Sequence, residues 1–379
     1  MNTYCILGGG IAGLTAAIAL KQAGIAATVF EAAPAIKPLG AGLLLAANAV
    51  KAYEKLGIAG RIVERGRLLP NFSILDERGR VISTVDAMAV RRKYGLHNFA
   101  IHRAALHEAL LSELSPGQVV TGKRATGASV GANGKVIVSF ADGSALTTDY
   151  LIVADGIHSA VRRQLLPLSE PRYAGYTCWR AVIDNPGLTL NRASETWGAA
   201  GRFGIVPLAG NQIYWFACVN APVNDPGMQK ARVADLQGLF ASFHPEVPAI
   251  LAATRDHQLI WNDIIDIRPI PRFAFGPIVL IGDAAHATTP NLGQGACQAI
   301  VDAVVLKAAL ETHANPVDAF AAFEQRRLGR AQFIVNSSWT MGKIAQIESP
   351  WLAALRNAFL RLTPAWANEW QLRRVITEK

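Results

Sequence analysis

Apolar residues fall along this chain in two textures. The first consists of short, almost unbroken runs: Tyr4-Cys5-Ile6-Leu7, Ala27-Thr28-Val29-Phe30, Tyr150-Leu151-Ile152-Val153-Ala154 and Ile278-Val279-Leu280-Ile281. Runs this short and this apolar predict strands of a parallel sheet covered on both faces. Between the first two lies an alanine-rich stretch in which Ala17 and Leu20 share the face toward the sheet and Gly24 is suited to a left-handed cap, so it predicts a helix. Further helices are predicted from Asn48 to about Leu56 with Gly57 as cap, from Ile101-His102-Arg103 toward Leu114, from Gly295 through about Leu310, and from about Pro316 to Ile344.

The second texture is β-prone and broken by turn residues. Phe72-Ser73-Ile74-Leu75 and Val81-Ile82-Ser83-Thr84-Val85 flank a turn at Gly79, and Asn133-Gly134 and Asp142-Gly143 are hairpin signals. From about Pro171 to Ile270 the chain reads as short strands, including Phe203-Gly204-Ile205-Val206, Gln212-Ile213-Tyr214-Trp215-Phe216-Ala217 and Leu259-Ile260-Trp261. Trp179, Trp197, Trp215 and Trp261 fall in this region, and their large flat side chains suit a substrate-facing sheet. The expected fold is α/β: a Rossmann-like nucleotide-binding domain with an inserted, mostly β substrate domain and C-terminal helices. The expected boundaries are 1–70, 98–168 and 271–345 for the discontinuous nucleotide domain, 71–97 and 169–270 for the β domain, and 346–379 for a helical tail. In that tail Trp351, Leu352, Leu355, Phe359 and Leu360 are expected to line a helix packed across the protein rather than a membrane face.

Bulk properties narrow the picture. At 51% hydrophobic residues, 379 residues suffice for a substantial core. The net charge of +9 is read as a field favouring anionic cofactors; no basic run interleaved with aromatics marks a nucleic-acid module, and Arg91-Arg92-Lys93 reads as a solvated loop. Cys5, Cys178, Cys218 and Cys297 are far apart without CxxC spacing, which suits reduced thiols and a cytoplasmic protein. With a strand so close to Met1 no signal peptide is expected, and no apolar run approaches the ~18 residues of a membrane span.

The chemistry gathers at the ends of the apolar runs. After the first comes Gly8-Gly9-Gly10-Ile11-Ala12-Gly13, in which Gly8 permits a tight turn, Gly10 lets backbone amides approach a pyrophosphate, and Gly13 lets helix and strand pack closely. The phosphate would rest on the positive end of the helix. Glu31 ends the second run, about twenty residues further on, where a carboxylate accepts hydrogen bonds from adenosine ribose hydroxyls and repels a 2′-phosphate. The third run delivers Asp155-Gly156 with Ser159 and Arg162, and the fourth delivers Gly282-Asp283 and His286. Pro290-Asn291-Leu292-Gly293-Gln294-Gly295 is a second glycine-rich loop at a helix start, hence a second anion site. His286 has no HExxH or comparable cluster beside it, so it is read as structural and no metal is expected.

These motifs, in this order and together with Arg103, resemble the class A flavoprotein monooxygenases, the p-hydroxybenzoate hydroxylase-like family, and within it the salicylate hydroxylase, urate hydroxylase and zeaxanthin epoxidase branch. The resemblance spans residues 4 to about 303, with one departure where Val301 replaces an acidic residue before Asp302-Ala303. It implies FAD as resident cofactor and NADPH or NADH as a transient reductant without a fingerprint of its own. It implies that Arg103 binds the FAD phosphates or ribityl chain and that Asp283 holds the ribityl hydroxyls. Asp155 would serve FAD and the nicotinamide cofactor jointly, and the loop from Pro290 through Gly293 and Gly295 to Ala296 would lie along the isoalloxazine. With Gly8, Gly10, Gly13, Glu31 and Gly42, these are the expected cofactor-binding residues.

The implied reaction is hydroxylation of a small aromatic or heteroaromatic substrate with O2 through a flavin C4a-hydroperoxide, so no catalytic side chain of the protein is assigned. Arg202 and Tyr214 align with substrate-facing positions of the urate hydroxylase-like branch, and Tyr176, Trp179 and Arg180 are further candidates to line the pocket. A flavin-dependent epoxidase or reductase of an apolar polyene and a non-catalytic flavin-binding regulator are the alternatives. No nucleic acid and no integral membrane span are expected, and the chain is expected to be a monomer or homodimer.

Overall fold

The computed structural model describes residues 2–36, 41–86, 98–364, 370 and 373–377; the Arg91-Arg92-Lys93 cluster lies outside them. The four apolar runs form Tyr4–Leu7, Ala27–Phe30, Tyr150–Val153 and Ile278–Leu280, which lie side by side and parallel in one six-stranded sheet. Each is covered on both faces, which is why their sequences carry so few polar positions. The helix Ile11–Gln22 is buried without interruption from Ile11 to Leu20 and packs against the helix Gly295–Thr312. Its small alanines let helix and sheet approach closely, and Gly24 ends it in the left-handed conformation (φ 73°).

The β-prone region builds a seven-stranded sheet in the order Ile260–Ile267, Pro171–Asp184, Gln212–Asn220, Arg202–Pro207, Ala193–Trp197, Asn71–Asp76 and Val81–Asp86. The hairpin at Gly79 thus joins strands from more than a hundred residues away. Registers across its centre pair Cys178 with Cys218, Arg180 with Phe216 and Val182 with Tyr214, and Gly204 in turn with Phe216. Because side chains alternate along a strand, one face carries Tyr176, Cys178, Arg180, Val182, Tyr214 and Phe216, and the other carries Trp179, Ala181, Trp215 and Phe203.

That second face is covered by helices. Val233–Leu239 and Glu246–Ala253 set Leu236, Phe240, Val247 and Ile250 against Trp179, Trp215 and Phe203, with Phe203 and Trp215 stacked at 5.2 Å. Two corrections follow. The stretch 171–270 is not only strands: it also holds Pro226–Lys230 and these two helices, and the three-to-four-residue spacing of Leu236, Phe240, Phe243, Val247, Ile250 and Leu251 is the helical signal within it. Trp179 points into this helix-covered core rather than toward a pocket.

The long helix Pro316–Ala345 crosses behind the Gly295–Thr312 helix, and Pro350–Leu362 follows. This last helix is less packed than its composition predicts. It buries Ala353 and Arg356, whereas Trp351 is 87% and Phe359 71% exposed. Among the described residues no helix is long and apolar enough to cross a membrane.

Candidate functional site

The parallel strands end at a common edge, and the motifs stand there side by side. Strand pairing places Glu31, Gly8 and Asp155 beyond three adjacent strand ends, with Gly282 and Asp283 beyond the fourth. This is the carboxyl edge at which open α/β sheets bind ligands. Close packing explains the glycines. The Gly8 N–H donates to Phe30 O at 2.8 Å, a Cβ on Gly8 (φ 98°) would lie 2.3 Å from Ala154 O, and one on Gly13 would lie 1.9 Å from Gly8 O. At Gly10, by contrast, a Cβ would meet nothing within 4 Å.

Glu31 and His107 fix this turn from two sides. The Glu31 carboxylate accepts the Gly9 N–H at 2.6 Å on Oε2 and the Ala33 N–H at 2.7 Å on Oε1, while His107 Nε2 donates to Gly9 O at 2.6 Å. His107 escaped the sequence reading, because nothing local ties position 107 to position 9. Arg103 begins the helix Arg103–Leu111 with its side chain exposed, and its N–H donates to Ala41 O at 3.1 Å, beside the strand Gly42–Leu45. Asp155 keeps a buried Oδ1 without a hydrogen-bond partner, and burial raises its pKa above the ordinary carboxyl value against the pull of Ser159 and Arg162. Asp283 is exposed at the first position of a short turn of helix after Gly282.

Arg162 departs from its motif partners. It is fully buried, and its guanidinium donates to Ile157 O at 2.5 Å, Ser169 Oγ at 3.2 Å and Ala284 O at 3.4 Å. Its donors are thus engaged in bracing the Asp155 loop from behind.

Pro290–Leu292 forms a single 3₁₀ turn, Gly293 takes the left-handed conformation (φ 61°), and the N-terminal amides of the Gly295–Thr312 helix, Ala296 among them, follow directly. A buried polar chain anchors this loop. Gln294 Oε1 accepts from Asn48 Nδ2 at 3.0 Å and from Gln298 Nε2 at 2.9 Å, and Arg327 donates to Gln298 Oε1 at 2.6 Å and to Asp302 Oδ1 at 2.7 Å. Asp302 Oδ2 also accepts from His286 Nε2 at 2.6 Å and the Gly282 N–H at 2.8 Å. Burial alone would raise the Asp302 pKa, but His286 and Arg327 outweigh it and hold it at about 2. His286 is therefore taken up by a carboxylate, as a structural histidine would be.

The face of the seven-stranded sheet that carries Tyr176 and Tyr214 meets these segments at two points. Tyr176 O–H donates to Asn291 Oδ1 at 3.0 Å, and Tyr214 lies so close to Gly42 that a Cβ there would be 2.6 Å from its ring. Arg180, Val182 and Phe216 lie between these two contacts. Arg202, 2% exposed, donates to Gln346 Oε1 at 2.6 Å and Glu195 Oε1 at 3.0 Å and stands over the Tyr176 ring. Glu195 and Gln346 are partners the sequence reading did not anticipate.

These residues fit a dinucleotide with a flat redox ring. The turn is closed at Gly8 and open at Gly10, just before the start of the Ile11–Gln22 helix, an orphaned Asp155 oxygen stands beside it, and a second helix start lies across the edge.

A family model for an FAD binding domain matches residues 2–338. Aurachin C monooxygenase/isomerase of Stigmatella aurantiaca is 38% identical over 95% of this chain and 94% of its own length. The 2-heptyl-3-hydroxy-4(1H)-quinolone synthase of Pseudomonas aeruginosa is 33% identical over 96% of this chain and 94% of its own. The crystal structure of Klebsiella pneumoniae HpxO complexed with FAD and uric acid superposes with a TM-score of 0.91 at 31% identity, covering 99% of this chain and 96% of that one.

Proposed function

The chain belongs to the FAD-binding-domain family of flavin monooxygenases, and from that premise we propose that it hydroxylates a flat, fused nitrogen heterocycle of the 4-quinolone type, using NAD(P)H and O2. It is an FAD-dependent monooxygenase of the hydroxylase type, acting on aromatic or heteroaromatic substrates. The proposed balance is RH + O2 + NAD(P)H + H⁺ giving ROH + NAD(P)⁺ + H2O. When bound, FAD supplies hydride acceptance from NAD(P)H and the activation of O2.

The protein's own part is binding and orientation. In this reading the Gly10 amide and the helix start at Ile11 hold the pyrophosphate, with Gly8 shaping the turn and Gly13 keeping that helix close. Glu31 orients the adenosine ribose, Arg103 neutralises phosphate, Asp155 and Asp283 accept hydrogen bonds from hydroxyls, and Gly42 with Pro290, Gly293, Gly295 and Ala296 borders the redox ring. The positive end of the Gly295–Thr312 helix favours negative charge on the reduced ring. Tyr214, between Gly42 and the sheet, closes the site against water.

One observation carries the choice of substrate: the wall between the Tyr176 and Tyr214 contacts. It is apolar at Val182 and Phe216, with Val206 beside Tyr214 in the next strand, and apart from Arg180 it offers few donors to a polyhydroxylated or purine ring. A fused ring with one polar edge suits it better. Anaerobic stopped-flow reduction of the holoenzyme by NADPH and NADH, with phenols, purines and quinolones as effectors, tests this. Quinolones should accelerate flavin reduction most, and ¹⁸O from ¹⁸O2 should appear in the product. Acceleration by purines or phenols alone would overturn it.

A further inference from the structure

We propose that Arg180, rather than Arg202, is the cation that binds the substrate, and that it takes the ring oxygen of a 4-quinolone or its 4-hydroxyquinoline tautomer; this rests on the proposed function above. The two guanidiniums stand on the same face of the same sheet but in opposite states. Arg202 is closed in: Glu195 neutralises it at 3.0 Å, Gln346 takes its Nε at 2.6 Å, and the Tyr176 ring covers it. Arg180 is open. Among the described residues its buried Nε has no hydrogen-bond partner, and its one hydrogen bond runs from Nη2 to Asn262 Oδ1 at 3.4 Å, near the limit for such a bond. Burial works against its charge, the neighbouring Cys178, Tyr214 and Cys218 outweigh that and raise its pKa above the ordinary guanidinium value, and none of the three is a carboxylate.

A half-buried guanidinium whose buried Nε–H has no acceptor and which has no carboxylate partner among the described residues marks a place where a ligand oxygen can complete the pairing. Position agrees with this. Arg180 lies four residues along its strand from Tyr176, which touches the 290–292 turn, and two from Val182, whose cross-strand partner Tyr214 touches Gly42. At ~3.3 Å per residue, its Cα stands roughly 13 Å from the first contact and 7 Å from the second, inside the span bridged by the wall. On the neighbouring strand Phe216, the cross-strand partner of Arg180, packs against Gly204, where a Cβ would be 2.0 Å from its ring. A guanidinium at that point offers its planar edge to an oxygen on the substrate ring.

The test is a ligand comparison on the FAD-loaded enzyme. Quinolin-4(1H)-one and quinoline, which lacks the oxygen, are titrated separately and binding is followed by perturbation of the flavin spectrum. Wild type should bind the oxo compound at least about thirtyfold tighter. Arg180→Met should cut that ratio about tenfold or more while the quinoline Kd stays within threefold, and the loss should fall on KM more than on kcat. Arg180→Lys should recover part of the ratio, since it restores charge without the fork, and Arg180→Gln serves as second neutral variant if the methionine form does not hold FAD. A ratio unchanged in the neutral variant, or equal weakening of both ligands, overturns the assignment to Arg180. If wild type binds neither ligand while another ring class accelerates flavin reduction, the functional reading fails with it.

Discussion

The substitution Gly13→Ala sets two physical effects against each other, and the structure decides the sign. Gly13 lies inside the helix Ile11–Gln22, where alanine is favoured over glycine by about 1 kcal/mol, so helix propensity alone predicts stabilisation. The added Cβ, however, would stand 1.9 Å from Gly8 O. A non-bonded carbon and oxygen rest at roughly 3.3 Å, so helix and turn must part by more than about 1 Å. The turn has no slack to absorb this, because Gly8 abuts Ala154 O, Gly9 is tied at 2.6 Å to Glu31, and Gly9 O is held by His107. The amides that face the pyrophosphate move with it. Losing two charge-assisted hydrogen bonds at about 1.5–3 kcal/mol each corresponds to roughly a hundredfold to ten-thousandfold weaker FAD binding. Fluorescence titration of apoprotein with FAD measures the Kd, and thermal melting of the apoprotein reports the balance of propensity against the clash, which should lower the melting temperature. A Gly13→Ala protein that binds FAD within threefold of wild type and melts higher would refute the close-packing argument.

Two further substitutions probe the parts that hold the loop and shape the wall. Asp302→Asn leaves Arg327 and His286 buried without their carboxylate and should cost about 3–5 kcal/mol in chemical denaturation. The same carboxyl gives a pH signature. Its folded pKa, about 2, lies below the unfolded value near 3.8, so its contribution of about 2 kcal/mol is complete above the unfolded value and lost as pH falls through the folded one. About half should remain near pH 3, and the stability gap between wild type and Asp302→Asn should narrow accordingly between pH 5 and pH 3; a constant gap would count against the ion pair. Gly204→Ala puts a Cβ 2.0 Å from the Phe216 ring and pushes it off the sheet toward Arg180. Oxygen consumption should continue while the yield of hydroxylated product per NAD(P)H falls severalfold, as measured by oxygen electrode and chromatography; unchanged coupling would show that Phe216 has another way to yield.

The nucleotide-binding half was legible because its signals are local. Each apolar run and the glycines or acid that end it lie within one strand–turn–helix unit, and a buried parallel strand leaves the same mark wherever it stands in the chain. The helices between Pro226 and Ala253 were also written in their apolar spacing, but the surrounding strands obscured the period. Alternation alone divides Trp179 from Arg180, yet which face meets the edge of the parallel sheet depends on contacts with Asn291 and Gly42, more than a hundred residues away in chain.

Residue type, local pattern and motif order by themselves determined the family, the parallel sheet and the positions of the turns at its edge. Only the tertiary structure decided how each charged residue is used. It closed Arg162 and Arg202 into the fold, joined Asn48, Gln294, Gln298, Arg327, Asp302 and His286 into one support for the second loop, and left Arg180 open. The reason is physical: the state of a buried charge depends on what desolvates it and what answers it, and both come from segments that meet only when the chain is folded.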